Sequence, residues 1–288
     1  MNILWGIIAA IIISPAVSWG QFSIVESGYP FENPGFLATA GVMAYDSGRH
    51  RLAISDQARE TIFIFDLTDK SFQAIDSDNR IMSPAGLAFD RTGVIYITQQ
   101  DYPVILRIGP DFNILDSIVL DEIFTDDISP GRIAIGAQGN LFVSDIKHRA
   151  VCQFDTSGRF INKIREKLKR PDGIFVNLSG EIYIADKGID PILQFSAGGK
   201  FMRNLSRPED PTGQSSYSAS GLAFDQRGWL YTLDITHNQV VRLDPTGVSL
   251  EEWAPEPPFF PKDIVIDKYG NIYISESGLG RVLIIGIG

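Results

Sequence analysis

The sequence predicts an all-β fold, a six-bladed β-propeller built from four-stranded antiparallel blades. An apolar strand that ends in Asp, Glu or Gln recurs six times, and its last residue returns every 41 to 48 residues, a spacing typical of propeller blades. A turn containing Gly precedes each copy, as tight hairpins require. The six last residues are Asp56, Gln99, Asp145, Asp186, Asp234 and Glu276.

Each copy divides into four strands. The first is a short run that is apolar on both faces, which predicts burial on both sides. The second is the strand that ends in the acid or amide, and the third is again apolar. The fourth is more polar, as in FINKI from Phe160, which predicts an outer edge strand. The first strands are expected to begin at Val42, Leu87, Ile133, Ile174, Leu222 and Ile264.

The sixth copy lacks a fourth strand, because the sequence stops at Gly288 directly after the third. The segment Phe22 to Glu26, FSIVE, is apolar and has no partner in the first copy. We therefore expect FSIVE to pair with the third strand of the sixth blade and close the ring, since closure removes open sheet edges.

The N-terminus predicts export. Residues 3–13 form an apolar run of the length of a signal-peptide core, Pro15 breaks it, and small residues follow up to Gly20. We interpret residues 1–20 as a signal peptide and 21–288 as one propeller domain. The expected location is the periplasm or the outside of the cell, as a monomer without a membrane span once the signal is removed. A retained anchor is the alternative.

Composition excludes one class of partner. The formal net charge is −10, so the acidic surface repels phosphate backbones and nucleic acid is not expected to bind. Cys152 is the single cysteine, which rules out an intramolecular disulfide. Its place in the middle of the strand AVCQF indicates a small buried hydrophobic residue.

The clearest copies, SPAGLAFDRTGVIYIT from Ser83 and RPDGIFVNLSGEIYIAD from Arg170, resemble the NHL-repeat six-bladed propellers. The resemblance covers about residues 22–288. The Asn-His dipeptide of that family is not intact, because the third blade has Lys147-His148-Arg149 and the fifth has His237-Asn238-Gln239. YWTD and gluconolactonase-like propellers share much of the pattern. The resemblance implies a propeller scaffold or, for the gluconolactonase type, a divalent-metal-dependent hydrolase or lyase with Ca²⁺ held by channel carboxylates.

Function is expected on the face that carries the loops between blades, because three of these connections are long. They run over residues 121–132, 206–220 and 254–263. Plain linkers are the alternative. The third connection contains the Pro-rich stretch APEPPFFPK with Phe259 and Phe260, which is either a recognition surface or a plug packed on blade six.

The position just before each first strand is expected to lie at the mouth of the channel, and in two blades it holds a charged residue. Arg132 and Asp263 stand where the other blades are expected to have Gly, namely Gly41, Gly86, Gly173 and Gly221. The pair either binds a polar ligand or pairs with its neighbours. Alanine at either position is expected to weaken binding and leave the melting temperature nearly unchanged.

The acids that end the second strands could gather Ca²⁺ as a ring, or each could accept hydrogen bonds from its own loop; the local role is favoured. None of the channel-mouth positions is His, which argues against a zinc enzyme, and no catalytic residue is assigned. Candidate binding residues are Arg132, His148, His237, Phe259, Phe260 and Asp263. The favoured function is an exported non-catalytic scaffold that binds a protein, peptide or glycan on the long-loop face. The alternative is the metal-dependent hydrolase or lyase.

Overall fold

The computed structural model describes residues 22–75, 80–100, 102–120, 128–188, 191–205, 218–257 and 259–287. These residues form six four-stranded antiparallel sheets. The innermost strands of consecutive sheets contact one another, and the innermost strand of the sixth sheet contacts that of the first. The sheets are therefore the six blades of a closed propeller, as the repeat predicts.

The first three blades follow in chain order. Blade one contains β2 (Ala40–Asp46), β3 (Arg51–Asp56), β4 (Thr61–Asp66) and β5 (Phe72–Ala74). Blade two contains β6 (Pro84–Phe89), β7 (Ile95–Gln99), β8 (Tyr102–Ile108) and β9 (Ile114–Val119). Blade three contains β10 (Pro130–Ile135), β11 (Leu141–Asp145), β12 (Ala150–Phe154) and β13 (Phe160–Ile164).

The remaining blades complete the ring. Blade four contains β14 (Pro171–Val176), β15 (Ile182–Asp186), β16 (Ile192–Phe195) and β17 (Phe201–Asn204). Blade five contains β18 (Ala219–Phe224), β19 (Leu230–Asp234), β20 (Gln239–Leu243) and β21 (Ser249–Trp253). Blade six contains β22 (Pro261–Ile266), β23 (Ile272–Glu276), β24 (Arg281–Ile287) and β1 (Phe22–Ile24). A short 3₁₀ turn, Pro30–Glu32, lies between β1 and β2.

The N-terminal strand closes the ring. β1 pairs antiparallel with β24, with Phe22 opposite Ile287 and Ile24 opposite Ile285. Val25 continues the pairing by donating its amide hydrogen to the carbonyl of Ile284 at 2.9 Å. The predicted role of FSIVE is thereby confirmed.

Burial follows the position of each strand in its blade. Second strands such as β15 are buried along their whole length, whereas the outer strand β5 is exposed throughout. The hydrophobic cores lie between adjacent blades: Val42, Ala53 and Ile64 of blade one contact a cluster that includes Leu87 and Ile97 of blade two. On its other side, blade one packs against blade six, where Met43 and Phe65 share a core with Tyr273. Each blade therefore buries its apolar faces against its two neighbours.

The hairpins between first and second strands need a residue with positive φ. Gly93 (φ 83°) supplies it in blade two, and equivalent glycines do so in blades three to six. In blade one the residue with positive φ is His50 (53°), and Gly48 of the same turn does not have a positive φ. In blade one, therefore, the glycine of the turn does not supply the conformation for which the sequence pattern predicts a glycine.

Candidate functional site at the channel mouth

A β-bulge at the start of every first strand shapes the channel mouth. In blade three, Pro130 pairs with Asp145 and Ile133 with Val143, so Gly131 and Arg132 together oppose the single residue Ser144. The same irregularity recurs in all six blades. A bulge turns a side chain away from the ordinary alternation of a strand. The bulged pairs are Gly41–Val42, Ala85–Gly86, Gly131–Arg132, Asp172–Gly173, Ser220–Gly221 and Lys262–Asp263.

The register corrects one residue of the sequence analysis. Met43 pairs with Ile54, as Ile133 pairs with Val143, so Val42 rather than Gly41 is equivalent to Arg132. The first strand of blade one was expected one residue too early. Glycine therefore occupies this position in three blades, where Gly86 and Gly173 have no room for a Cβ: it would lie 2.7 Å from the carbonyl oxygen of Gly131 and 2.8 Å from Gly221 Cα, respectively.

Arg132 and Asp263 form an ion pair across the channel. Blades three and six face each other in a ring of six, and Arg132 Nη1 donates to Asp263 Oδ2 at 2.5 Å. Arg132 Nη2 donates to the carbonyl of Lys262 at 3.0 Å. Asp263 also accepts from the amides of Met43 (2.7 Å) and Ile264 (2.9 Å). The two candidate residues are thus brought together, although 131 positions separate them in the chain.

A second carboxylate balances Arg132. Arg132 Nε lies 3.7 Å from Asp172 Oδ1, and Lys187 Nζ lies 3.2 Å from Asp172 Oδ2. The hydroxyl of Ser220 donates to the same Oδ2. Although burial alone would raise it, the charges of Arg132 and Lys187 lower the pKa of Asp172 from 3.8 to about 2. Burial likewise opposes the charge of Arg132, yet Asp263 and Asp172 raise its pKa.

Lys262 is the third cation at this position. Its side chain is half-buried, and within the described residues its amine makes no ion pair. Burial, followed by the charges of Arg132 and Lys187, lowers the pKa of Lys262. We call the six residues Arg132, Asp172, Lys187, Ser220, Lys262 and Asp263 the mouth cluster.

The mouth cluster lies at one end of the central channel. The channel has a volume of about 290 Å³ and is lined by the first strands of all six blades, with Arg132 and Asp263 in its wall. These two residues belong to the starts of β10 and β22, beside the ends of the second strands, which is the face of the long connections. The candidate site is therefore a charged patch at the channel end on the long-loop face.

Sequence reasoning missed Asp172, Lys187, Ser220 and Lys262. Three of them, Asp172, Ser220 and Lys262, directly precede the position that was compared between blades, and the bulge sets both residues of each pair opposite a single residue of the second strand. Lys187 follows the acid that ends β15 and reaches back to Asp172. The signal available in the sequence was a second polar column, Asp172, Ser220 and Lys262, directly before the glycine position.

The acids that end the second strands serve their own loops, as favoured. Asp186 accepts from the amides of Lys169, Arg170 and Gly188. Backbone amides likewise donate hydrogen bonds to the carboxylates of Asp56, Asp145, Asp234 and Glu276. Within the part of the chain that the structure describes, no three His, Cys, Asp or Glu side chains are placed to hold a metal ion. These residues do not fit the ring of Ca²⁺ ligands.

The two candidate histidines bind the acids of their own blades. His148 Nδ1 lies 2.7 Å from Asp145 Oδ2, and His237 Nδ1 lies 2.6 Å from Asp234 Oδ2. Each pair spans three residues, so the histidine completes its loop after the second strand and does not reach the mouth cluster. His237 remains about half exposed at the surface.

The two aromatic residues of the Pro-rich connection differ in burial. Phe259 is buried at 4% exposure and packs with Trp253, so its ring is a plug between blades five and six. Phe260 is 49% exposed and remains on the loop face. Of the other two long connections, residues 121–127 and 206–217 lie outside the described residues.

Cys152 is fully buried in the core between blades two and three. Burial raises the pKa of its thiol to about 12, so it is not a thiolate at neutral pH. The interpretation as a small hydrophobic residue fits this setting.

Comparison with known proteins agrees on the fold. No protein-family model matches the chain, and no curated protein sequence does. Among solved structures, a gluconolactonase from Xanthomonas campestris is similar at a TM-score of 0.70 and 14% identity, covering 95% of this chain and 97% of that one. A virginiamycin B lyase from Staphylococcus aureus, solved as an inactive variant with quinupristin, reaches 0.65 at 15% identity and covers 85% and 79%.

A streptogramin B lyase is similar at a TM-score of 0.66 and 13% identity, over 93% of this chain and 98% of that one. At such identities the likeness is one of fold, the six-bladed propeller shared with lactonase-like and lyase proteins. Among the described residues, no helix is long and apolar enough to cross a membrane.

Proposed function

We propose that this chain is an exported, NHL-like propeller that binds a ligand at the mouth cluster through an anionic group of that ligand. The observation that carries the proposal is the charge balance. Arg132, Lys187 and Lys262 bring three positive charges together, and Asp172 and Asp263 bring two negative ones. The cluster is a positive site on a chain of net charge −10.

The excess charge belongs to Lys262. Both oxygens of Asp263 accept hydrogen bonds from Arg132 and backbone amides, and both oxygens of Asp172 face Arg132, Lys187 or Ser220. A half-buried ammonium without a carboxylate is disfavoured, and a bound anion removes that penalty. The protein, peptide or glycan expected from the sequence is thereby narrowed to one that offers a carboxylate or a similar group.

Catalysis at the same mouth is the second candidate, and the comparisons favour it over a purely non-catalytic scaffold. The similar structures include a gluconolactonase, a virginiamycin B lyase and a streptogramin B lyase, and all of them share this fold. The expected Ca²⁺ ring does not fit the described acids, so we derive no metal-dependent step. A lactone whose hydrolysis produces a carboxylate would leave a product suited to the mouth cluster.

Calorimetric titration with D-gluconate and with inorganic phosphate tests the binding proposal. Lys262→Gln is expected to weaken both affinities about tenfold, because one close charge is lost. Lys200→Gln is the matched control: it removes the same charge from an exposed turn on the opposite face and should leave both affinities unchanged. Equal affinities in wild type and Lys262→Gln would contradict the proposal.

The enzyme candidate has its own measurement. Hydrolysis of δ-gluconolactone is followed with wild type, with Lys262→Gln, and without protein to measure the spontaneous rate. Turnover by wild type that Lys262→Gln loses would support it. A rate equal to the spontaneous one would remove this lactone from consideration without affecting the binding result.

A further inference from the structure

The central channel is closed at the mouth cluster. The Arg132–Asp263 ion pair spans it there at 2.5 Å. In the same layer the first strands approach closely: a Cβ on Gly86 would lie 2.7 Å from a carbonyl oxygen of blade three, and one on Gly173 would lie 2.8 Å from Gly221. From this layer the channel wall runs toward the hairpins, along residues 43–45, 87–89, 133–135 and 174–176 among others.

The opposite end of the channel is open. It lies at the hairpin face, the surface formed by the hairpins between first and second strands. Every first strand has a half-buried residue in one of its last two positions, beside these hairpins, whereas the residue that starts each strand is buried. Half-buried Tyr45, Phe89, Ile135 and Val176 belong to the channel wall. Solvent therefore reaches the cavity from the hairpin face.

The first strands turn one edge to the channel. Each is the terminal strand of its sheet, so one of its edges has no partner strand. Antiparallel pairing uses the N–H and C=O of alternate residues and leaves those of the residues between them at the free edge. In blade three the amide of Gly136 donates to the carbonyl of Asn140 at 2.9 Å, which makes these two a hydrogen-bonded pair. Ile135 and Ile133 therefore direct their N–H and C=O groups into the channel.

The same register recurs around the ring. In blade one, Met43 shows it directly, because its amide donates to Asp263 across the free edge at 2.7 Å. The channel wall therefore carries two rings of main-chain donors and acceptors, and the ring nearer the hairpin face includes Ile135 and Val176. The equivalent hairpin bonds of blades two, four, five and six start at the amides of Asp90, Asn177, Asp225 and Asp267.

The two rings differ in their partners. In the ring nearer the mouth cluster, Asp263 accepts hydrogen bonds from the amides of Met43 and Ile264. In the ring nearer the hairpin face, no group outside the sheet bonds to the main chain of Ile135 or Val176 in the part of the chain that the structure describes. Main-chain groups left unpaired by the protein bind water or a ligand. The open half of the channel thus offers both donors and acceptors.

The channel suits an uncharged ligand. Arg132 and Asp263 are the charged residues of the described wall, and they neutralise each other. Both oxygens of Asp263 also accept hydrogen bonds from backbone amides. An ion would lose its hydration here without gaining a counter-charge. Most other wall side chains are apolar, among them Phe89, Phe175 and Ile135.

We propose that the open half of the channel binds an uncharged cyclic polyol that enters from the hairpin face. Each ring hydroxyl both donates and accepts, so hydroxyls around the circumference match the N–H and C=O groups around the wall. A cavity of about 150 Å³ holds a benzene ring. The channel, at about 290 Å³, has room for a six-membered ring with its hydroxyls. This site is separate from the mouth cluster and does not depend on the proposed function.

Titration with myo-inositol, followed by ligand-observed NMR, tests the inference. Wild type is expected to bind it saturably, whereas cyclohexanol, the same ring with one hydroxyl, should bind about tenfold more weakly because hydrogen bonds are lost. Val176→Trp narrows the open half and should weaken inositol binding by about tenfold. Val248→Trp is the matched control, since it makes the same change at an exposed valine and should leave the affinity unchanged. Absence of saturable inositol binding, or equal affinities in wild type and folded Val176→Trp, would overturn the inference.

A cysteine measurement tests the same point without narrowing the channel. Cys152 is the single cysteine and is fully buried, so Val176→Cys adds the thiol that is expected to react. Methyl methanethiosulfonate, an uncharged reagent, should modify this thiol, and inositol should slow the reaction in proportion to its occupancy. Val248→Cys should react at the same rate with and without inositol. An unchanged rate for Val176→Cys at saturating inositol would place the polyol outside the channel and refute the site.

Lys262→Gln and D-gluconate separate this site from the mouth cluster. Inositol affinity should be the same in wild type and Lys262→Gln, and saturating gluconate should not displace inositol. Displacement would assign the polyol to the mouth cluster and refute the channel site. Wild type that binds inositol but neither gluconate nor phosphate supports the channel site and refutes the proposed function.

Discussion

At the scale of single residues, the mouth cluster shows how buried charges are held. Sequence reasoning left open whether Arg132 and Asp263 bind a ligand or pair with neighbours; the structure shows that they pair. Because the two residues form a buried ion pair, we expect alanine at either position to lower the melting temperature, in contrast to the expectation from the sequence. Removing one member of a buried pair leaves the other charge uncompensated, which costs about 3 to 5 kcal/mol.

Asp172→Asn is the cleanest residue-scale test, because it keeps the shape and removes the charge that balances Arg132 and Lys187. We expect it to lower the free energy of unfolding by about 3 kcal/mol at neutral pH. The folded pKa of Asp172 is depressed to about 2 from 3.8, so its stabilisation is fully present above about pH 4. It is lost as the pH falls from about 4 through 2.

Urea unfolding of wild type and Asp172→Asn between pH 7 and pH 3 measures this difference. The gap between the two should stay constant in the upper part of the range and begin to narrow below about pH 4. Glu166→Gln removes the same charge from an exposed side chain and serves as the control. A gap that widens on acidification would show that Asp172 is not the stabilising carboxylate.

At the scale of elements, β1 completes blade six and closes the ring. Phe22 is 7% exposed, and its ring centroid lies 6.2 Å from that of Tyr231 and 6.1 Å from that of Trp253 on blade five. The buried guanidinium of Arg242 lies 5.4 Å from the same ring. Phe22 therefore fixes the closing strand to two blades, by pairing within blade six and by packing on blade five.

Phe22→Ala should reduce the free energy of unfolding by about 3 kcal/mol, since a buried aromatic ring is deleted. Ile24→Ala changes the same strand at a side chain that is 47% exposed and should cost well under half as much. Deleting residues 22–26 should further expose the edge of β24 and promote aggregation. Thermal unfolding and light scattering check both expectations. Equal losses from the two substitutions would mean that β1 holds by backbone pairing alone.

At the scale of the whole molecule, the ring is tied at its rim and across its centre. β1 joins the two ends of the described chain within blade six, and the Arg132–Asp263 pair joins opposite blades over the channel. The rim closure begins at Phe22, one residue after Gln21. An exported form cut at the expected position therefore retains the closing strand.

Export predicts that the mature protein begins near Gln21. Intact-mass spectrometry of the protein secreted or released from the periplasm should show this N-terminus. Ile8→Asp, which places a charge in the apolar run, should block processing and leave Met1 in place. Wild type recovered from the cytoplasm with Met1 intact would be evidence against export.

The sequence by itself determined the architecture, because each blade is a local object. Strand alternation, turn glycines and the acid that ends each second strand, such as Asp186, act within about 45 residues, and their repetition sets the number of blades. The closing strand was equally predictable, since FSIVE was an apolar strand without a partner and blade six was a sheet without its fourth strand. The local role of the terminal acids follows from turn chemistry alone.

Only the tertiary structure decided the site. Arg132 and Asp263 meet because a ring of six places blades three and six face to face, a relation that no local pattern encodes. The bulge pairs Lys262 with Asp263 through a one-residue shift of register, and such a shift is invisible in a repeat whose copies differ in length. The burial of Phe259 is likewise decided by the tertiary structure, because it depends on how blade six packs against blade five.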